Sequence, residues 1–189
     1  MKIVVGVSGA SGSIYPIRIL QKLRAQQEVE THLIVSRSAE KTLFLETGRK
    51  SSELRELADY YYPFEDIGCR LASGSFRTAG MVIAPCSVHT MSAIAAGISS
   101  NLLIRAADVS LKERRPLILM VRETPLHLGH LRTMVALAEM GAILVPPIPA
   151  FYTKPETVMD IVDSSVDRVL DLLQLPDSAA KRWDGGRLE

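Results

Sequence analysis

The chain has 189 residues, of which 47% are hydrophobic, and its formal net charge is +1. This length and composition predict one domain with a sizeable buried core. The near-neutral charge, with acidic and basic residues interspersed, argues against a nucleic-acid partner. The first apolar stretch is too short for a signal peptide, and no apolar run approaches the roughly 20 residues that span a bilayer. We therefore expect a cytoplasmic protein without a membrane partner.

Apolar runs of strand length recur along the chain, with helical patterns between most of them, at 3–7, 31–35, 81–84, 117–121 and 142–145. The alternation predicts an α/β fold. Because these runs are continuously apolar, we expect a mostly parallel sheet with helices on both faces, in a single three-layer, Rossmann-like (flavodoxin-like) domain over 1–175. Such sheets bind ligands beyond the carboxyl ends of their strands.

The carboxyl-terminal part of the chain begins with a proline-rich segment, 146–149, that closes the last predicted strand. A helix is predicted from Thr157 to Leu173, and its apolar side is formed by Val158, Ile161, Val162, Val166, Val169, Leu170 and Leu173. Residues 176–189 are predicted to be a loosely held tail.

The first strand runs into a turn of small residues within VVGVSGASGSIYPIRIL, residues 4–20. Gly6, Gly9 and Gly12 have the spacing GxxGxxG, which matches neither the dinucleotide fingerprint nor the Walker loop. Unpaired amides at a helix amino terminus still attract an anion, and one phosphate fits this turn better than a pyrophosphate. A tight structural turn explains the glycines equally well.

Two further strand ends carry polar residues. The run 81–84 leads into PCSVHT, in which Ser87 fits a helix cap and Ser87 and Thr90 offer hydroxyl groups to a ligand. The run 117–121 leads into Arg122 and Glu123, a cation beside a carboxylate at the edge where ligands bind. The alternative for this last pair is a solvated surface ion pair.

We expect no metal site and no thiol nucleophile. His127 and His130 are three residues apart on a predicted helix, but HExxH is absent and no third ligand is evident. Cys86 ends an apolar strand near His89, where a cysteine is more often a small apolar filler than a nucleophile. Cys69 and Cys86 lack CxxC spacing, which predicts neither a disulfide framework nor a zinc site.

Three blocks carry a resemblance to a known family: SGASGSIY, PCSVHTMSAIAAGISSNLLIRAADVSLKERRPLILMVRETPLH and PAFYTKPETVMDIVDSSVDRVLD. They resemble the signature blocks of the flavin prenyltransferases, the UbiX-type proteins, over roughly residues 2–183. The resemblance implies transfer of the dimethylallyl group of dimethylallyl monophosphate to N5 and C6 of reduced FMN. The product, prenylated FMN, serves UbiD-type decarboxylases. The resemblance also implies a homododecamer with active sites between subunits.

Carried over from the family, the residues that bind FMN are Gly9, Ala10, Ser11, Ser36, Ser87, Val88, His89, Thr90 and Arg122. Those that bind the phosphate of the prenyl donor are Lys112, Arg122, Tyr152 and Arg168. Some of these groups are expected to come from a neighbouring subunit. The aromatic segment Tyr60 to Phe64 lies between predicted helices, and the resemblance assigns it no role. We favour ordinary packing or a subunit contact over a patch for a partner or a lid over the flavin.

The residues also fit the chemistry of prenyl transfer. Lys112, Arg122 and Arg168 offer preorganised positive charge to the departing phosphate. The aspartate-rich DDxxD motif is absent, which agrees with a monophosphate donor and ionisation without metal. Trp183 is a candidate π face for the allyl cation, or a hydrophobic clasp for the tail.

Closing the new ring at C6 requires loss of a proton, for which the family positions are Ser11, Glu46 and Glu123. Glu46 is otherwise an ordinary glutamate at a helix end, and Arg168 is otherwise the partner of Asp171 in a weak surface pair. Two rival functions stay open: an FMN-dependent cysteine decarboxylase of the same fold, and a non-catalytic FMN carrier.

Overall fold

A computed structural model describes residues 1–175, and its six strands form a single sheet. The strands are β1 (Lys2–Val7), β2 (Glu30–Val35), β3 (Tyr60–Tyr62), β4 (Gly80–Cys86), β5 (Leu117–Val121) and β6 (Ile143–Leu144). Every neighbouring pair is parallel, and the strand order is β3-β2-β1-β4-β5-β6. This is the order of the doubly wound Rossmann sheet, so the predicted fold class is confirmed.

In the described part of the chain, seven α-helices connect and cover the strands. They are α1 (Ile14–Arg24), α2 (Arg37–Thr47), α3 (Ser51–Arg55), α4 (Val88–Ala95), α5 (Leu102–Lys112), α6 (Leu128–Glu139) and α7 (Val158–Leu172). Short 3-10 turns lie at Arg70–Ala72 and Phe151–Thr153. Within residues 1–175, no helix combines the length and the hydropathy that crossing a bilayer demands.

The sheet is buried on both faces because its strands alternate between two apolar clusters. Ile3 and Val5 of β1 pack in the cluster that contains side chains of α1, α2, α3 and α7. Val4, between them, packs in the cluster that contains side chains of α4, α5 and α6. Burial of one such aliphatic side chain stabilises the fold by about 1.5–3 kcal/mol. The continuous apolar strands therefore match a sheet that has no solvent-facing side.

One strand was not predicted. Tyr60–Tyr62 forms the edge strand β3 and pairs in parallel with β2. His32 of β2 is fully buried there, stacks on the Tyr60 ring at 5.1 Å and lies 3.1 Å from the Tyr62 hydroxyl through Nδ1. Assignment of this segment to a connection between helices is therefore wrong, although packing is its role at Tyr62, which is buried.

Helix α7 lies close to its predicted limits and packs against α1. Thr157 caps its amino terminus in a capping box with Asp160. Val158 is 76% exposed, so its placement on the buried side was wrong; the buried stripe begins at Val162. Arg18 donates to both carboxylate oxygens of Asp163, at 2.9 and 2.8 Å, which fixes α7 on α1. The predicted tail, 176–189, lies outside the described residues.

Candidate active site

The site lies where the order of the strands reverses, between β1 and β4. In an open parallel sheet this is the crevice that binds ligands, just beyond the carboxyl ends of the strands. The Ser8 hydroxyl donates to the Pro85 carbonyl at 2.9 Å and accepts from the Ser87 amide at 2.8 Å. These bonds fix the turn after β1 against the segment after β4.

Three helix amino termini face the same cavity. Ser36 caps α2 by accepting from the Ala39 amide, Ser87 caps α4, and Asn101 caps α5. The cavity has a volume of about 600 Å³ and is lined by Gly9, Ser36, Arg37, Ser38, Phe64, Ser87, Val88, His89, Thr90, Asn101, Leu103 and Glu123. Since each helix terminus carries a partial positive charge, the cavity favours an anionic ligand.

Two glycines of the first turn are required by close packing and by backbone conformation. A Cβ on Gly9 would lie 2.4 Å from Ser38 Oγ and 3.1 Å from the Ser38 carbonyl carbon, so any larger residue would push α2 away. Gly12 has φ +113°, a conformation that residues with a side chain rarely adopt. The bare turn therefore brings the starts of α1 and α2 together at the cavity.

The amides at the start of α1 are already occupied. A Glu46 carboxylate oxygen accepts from the Ser13 amide at 2.8 Å and from the Gly12 amide at 3.0 Å. Burial raises the pKa of Glu46, but the Ser11 hydroxyl and these two amides outweigh burial and hold the pKa below its ordinary value. The expectation of unpaired amides for a phosphate at this turn was therefore wrong at these two positions.

Glu46 and Ser11 are brought together, as the proton-transfer hypothesis requires. The ionised carboxylate of Glu46 joins the end of α2 to the turn in front of α1, 33 residues away in sequence from Ser13. This bonding pattern is not that of an ordinary solvated glutamate at a helix end, although the residue as a whole is exposed. The placement supports the family assignment without testing it.

Arg122 and Glu123 follow β5 at the same edge of the sheet. The Arg122 amide donates to the Cys86 carbonyl at 3.1 Å, which holds this loop beside the end of β4. Glu123 lines the cavity and accepts from the Thr124 amide at 2.9 Å. The two side chains form no ion pair with each other, and within residues 1–175 no carboxylate neutralises the Arg122 guanidinium. Both residues are exposed, so they are solvated at this edge without pairing with each other.

The residues predicted to bind the prenyl phosphate are divided between two places. Tyr152 and Arg168 line a second cavity of about 200 Å³ beneath α7, and Arg168 also forms the expected pair with Asp171, at 2.6 Å. Lys112 ends α5, which leads directly into the start of β5, so it lies at the opposite edge of the sheet. There it pairs with Glu113. Within one chain, Lys112 and Arg122 therefore lie at opposite edges of the sheet. Trp183 lies outside the described residues.

The two histidines lie at the amino terminus of α6, where His127 forms the helix cap. His127 caps α6 by accepting through Nδ1 from the Gly129 amide at 3.0 Å, and its ring stacks on His130 with centroids 3.6 Å apart. Within residues 1–175, no three His, Cys, Asp or Glu side chains are placed to hold a metal. His127 therefore has a structural role at the amino terminus of α6.

Cys86 is fully buried at the end of β4, and burial raises the pKa of its thiol to about 12. A thiol that is almost wholly protonated near neutral pH is a poor nucleophile. We expect Cys86→Ala to keep catalytic turnover within about twofold of the unsubstituted chain, at a modest cost in melting temperature from the small cavity. Loss of turnover at unchanged FMN affinity would instead assign the thiol a chemical role.

Five lining residues were not assigned from sequence: Arg37, Ser38, Phe64, Asn101 and Leu103. Asn101, placed just before the apolar run of α5, carried a recognisable cap signal. Phe64 belongs to the aromatic segment for which a lid over the flavin was the less favoured alternative, and it does line the cavity. Arg37 and Ser38 adjoin the predicted Ser36 and share its strand end.

Comparison with known proteins agrees with this site. The Flavoprotein family model matches residues 1–170. A "Flavin prenyltransferase UbiX" of Thauera aromatica is 56% identical over 98% of this chain and 95% of its own. The solved dodecameric FMN-dependent UbiX-like decarboxylase of Escherichia coli O157:H7 has a TM-score of 0.94 and 48% identity, covering 98% of this chain and 100% of that one.

A further solved structure, AnUbiX in complex with FMN and dimethylallyl pyrophosphate, has a TM-score of 0.94 and 45% identity, with 98% of both chains covered. By contrast, the FMN-dependent cysteine decarboxylase TvaF is 18% identical with a TM-score of 0.62, which shows a shared fold alone. The match to the family model thus places the chain among the flavoproteins. Within that class, the chain belongs to the UbiX flavin prenyltransferase family.

Proposed function

We propose that this chain transfers the dimethylallyl group of dimethylallyl monophosphate to reduced FMN, forming prenylated FMN. The observation that carries the proposal is the convergence of three capped helix termini on one cavity. The Ser11–Glu46 pair and Arg122, which has no ion pair within residues 1–175, belong to the segments that adjoin this cavity. The family membership supports the same reaction. The flavin site is proposed to lie within one domain, residues 1–175.

FMN fits the cavity through its phosphate. The hydroxyl groups of Ser36, Ser87 and Thr90 stand at helix termini that favour a dianion, and Ser87 and Thr90 are already oriented by a 3.1 Å hydrogen bond to each other. The amides at the start of α1 are taken by Glu46, so the phosphate is proposed to bind at α2 and α4. Gly9, Val88, His89 and Glu123 are then left for the remainder of the flavin.

The reaction breaks the bond between C1′ of the prenyl donor and its phosphate oxygen, and forms a bond from C1′ to N5 of the flavin. Negative charge grows on the departing phosphate, and cations held in place lower the barrier most when they need not reorganise. Arg122 offers such a charge within this chain. Tyr152 and Arg168 are proposed to join from their cavity, and Lys112 to come from a second copy, because it lies at the far edge of its own sheet.

Bond formation at N5 displaces the N5 proton, which leaves with the phosphate. A second bond then closes the new ring at C6: the prenyl double bond gains a proton and C6 loses one. The Ser11 hydroxyl and the Glu46 carboxylate are proposed to relay that proton, since they are hydrogen-bonded and Glu46 is ionised. Glu123, which lines the cavity, is the second carboxylate proposed near the flavin. The released phosphate and the prenylated flavin balance the reaction.

Prenylated FMN is proposed to pass to a UbiD-type decarboxylase, and the active assembly is proposed to be a homododecamer, as in the E. coli relative. The cytoplasmic location stays a prediction. No feature of the described residues favours cysteine decarboxylation or a carrier role over prenyl transfer.

The proposal is tested by incubating the purified chain with reduced FMN and dimethylallyl phosphate under anaerobic conditions, followed by mass spectrometry of the extracted flavin. We expect a flavin heavier by C₅H₈, because a dimethylallyl group, C₅H₉, replaces one hydrogen, and we expect it to form without added metal and in the presence of a chelator. Recovery of unmodified FMN from a chain that binds it tightly would overturn the proposal and indicate a carrier. The same assay with dimethylallyl diphosphate in place of the monophosphate compares the two prenyl donors.

A further inference from the structure

The cavity assigned to FMN is lined by a single strongly basic side chain. Of the residues within 1–175 that line it, Arg37 is the only arginine or lysine, and the sequence motifs gave it no task. A phosphate monoester carries a charge of about −1.5 to −2 near neutral pH, and its strongest hydrogen bonds are those to ionised donors. Arg37 is therefore the first side chain to consider as a partner of the FMN phosphate.

Arg37 begins α2, where backbone donors are still open. Its own amide and that of Ser38 have no acceptor within residues 1–175, whereas the Ala39 amide donates to the Ser36 hydroxyl. The Ser36 and Ser38 hydroxyl groups lie 3.2 Å apart, and both residues line the cavity. At the start of α1, by contrast, Glu46 accepts from two amides. The first turn of α2 thus supplies two open amides, two hydroxyls and one guanidinium, a donor set that suits a phosphate.

The Arg37 guanidinium is paired with a carboxylate at the rim of the cavity. Its Nε donates to Glu65 Oε1 at 2.7 Å, and Glu65 directly follows Phe64, which lines the cavity. The two paired side chains are 83% and 57% exposed. An ion pair so open to solvent contributes at most about fivefold to an equilibrium. The pair therefore joins α2 to the segment after β3 by an interaction that is easily broken.

We propose that Arg37 is a binding residue for the FMN phosphate, and that it exchanges Glu65 for that phosphate when the cofactor binds. The phosphate carries more negative charge than one carboxylate, and it would bind beside a helix amino terminus, in a cavity that screens charge less than open solvent does. Glu65 is then a competitor that holds the guanidinium at the rim and lowers the affinity for FMN. The inference rests on the proposed placement of the phosphate at α2 and α4, and it does not depend on prenyl transfer.

Arg37→Gln tests the contact with the phosphate. We expect the affinity for FMN to fall about tenfold, the effect of losing a hydrogen bond to a charged group, while the affinity for riboflavin, which lacks the phosphate, stays within about twofold. Lys41→Gln is the matched control, because it makes the same change in charge one turn further along α2, on an exposed side chain that does not line the cavity. It should leave both affinities unchanged. Equilibrium fluorescence titration measures each of them.

Glu65→Gln tests the exchange, and its expected effect has the opposite sign. Removal of the competing carboxylate should raise the affinity for FMN about threefold, within the range of an exposed ion pair, and leave riboflavin binding unchanged. In an Arg37→Gln background the same substitution should have almost no effect, because no guanidinium remains to be released. A gain that persists in that background, a loss of FMN affinity or an unchanged affinity in Glu65→Gln would each overturn the exchange.

The arginine itself has two other readings, and the same variant separates them. Equal losses of FMN and riboflavin affinity in Arg37→Gln would assign the side chain to the shape of the cavity. An unchanged FMN affinity with a raised KM for dimethylallyl phosphate would assign it to the phosphate of the prenyl donor. Either result overturns the proposal. The binding measurements need no turnover, so a failure of the proposed function appears separately, as absence of prenylated flavin from the unsubstituted chain.

Discussion

Glu46→Gln is expected to slow prenyl transfer by about 10²-fold while FMN still binds, the lower end of what a positioned acid or base contributes. The carboxylate accepts from the Ser13 and Gly12 amides and from the Ser11 hydroxyl, which hold it ionised beside the crevice. Glutamine has neither the charge nor the basicity to take a proton through Ser11. Single-turnover measurement of flavin alkylation, with FMN affinity measured in parallel, checks the result.

The matched control for this substitution is Glu40→Gln, on the same helix, whose carboxylate pairs with Arg55 at 2.9 Å. It makes the same change in charge and should leave the rate unchanged. Equal losses of rate in the two variants would contradict a specific role for Glu46. A loss of FMN binding in Glu46→Gln would assign the carboxylate to holding the turn rather than to proton transfer.

The same carboxylate makes stability depend on pH in a defined direction. The pKa of Glu46 is lower in the folded chain than its ordinary value, because the hydrogen bonds to the ionised form outweigh burial. The stabilisation is therefore fully present above the pKa of the unfolded chain, and it is lost as the pH falls through the folded-state pKa. Glu46→Gln lacks this contribution at any pH.

Five strands of the sheet could be predicted because each is a short local run of mostly apolar residues, largely buried in β1, β2, β4 and β5 and partly buried in β6. β5 was placed at its observed limits, 117–121, and the other four within a few residues. β3 was not predicted because its three tyrosines are stabilised by contacts with residues distant in sequence. The buried His32 ring stacks on the Tyr60 ring, and the Arg70 guanidinium lies 4.7 Å from the Tyr60 ring centroid. Neither contact can be inferred from the sequence of β3.

The candidate site was predictable to the extent that it follows strand ends. Gly9, Ser36, Ser87, Thr90 and Glu123 all line one cavity, because parallel strands deliver their carboxyl ends to one edge. The occupation of the α1 amides by Glu46 was not predictable from the turn itself. It depends on where α2 ends, and a carboxylate 33 residues away in sequence fills donors that the local pattern leaves open.

The residues predicted to bind the prenyl phosphate cannot all be placed in one site from a single chain. Tyr152 and Arg168 share a cavity, but Lys112 lies at the opposite edge of the sheet, held by Glu113. The spacing of residues within a sequence block says nothing about which copy of the chain supplies each side chain. Lys112 could approach the cavity only from a second copy, and so its role stays a prediction.

The second large effect is expected at Ser87, where charge and capping can be separated. Ser87 caps α4 and faces the cavity, so an alanine would remove the cap and the ligand hydroxyl together. Asparagine and aspartate both cap helices as well as serine, and they have nearly the same size. Ser87→Asn and Ser87→Asp should therefore have similar melting temperatures in the absence of flavin, and they differ by one negative charge at the proposed phosphate site.

We expect Ser87→Asp to weaken FMN binding at least 100-fold relative to Ser87→Asn, because two like charges would share the amino terminus of one helix in a partly enclosed cavity. Riboflavin, which lacks the phosphate, is the decisive comparison ligand: its affinity should differ little between the two variants. Equilibrium fluorescence titration measures all four affinities. If aspartate weakened riboflavin and FMN equally, the phosphate would not bind at α4, and the donors at the start of α2 and α5 would be the remaining helix termini of the cavity.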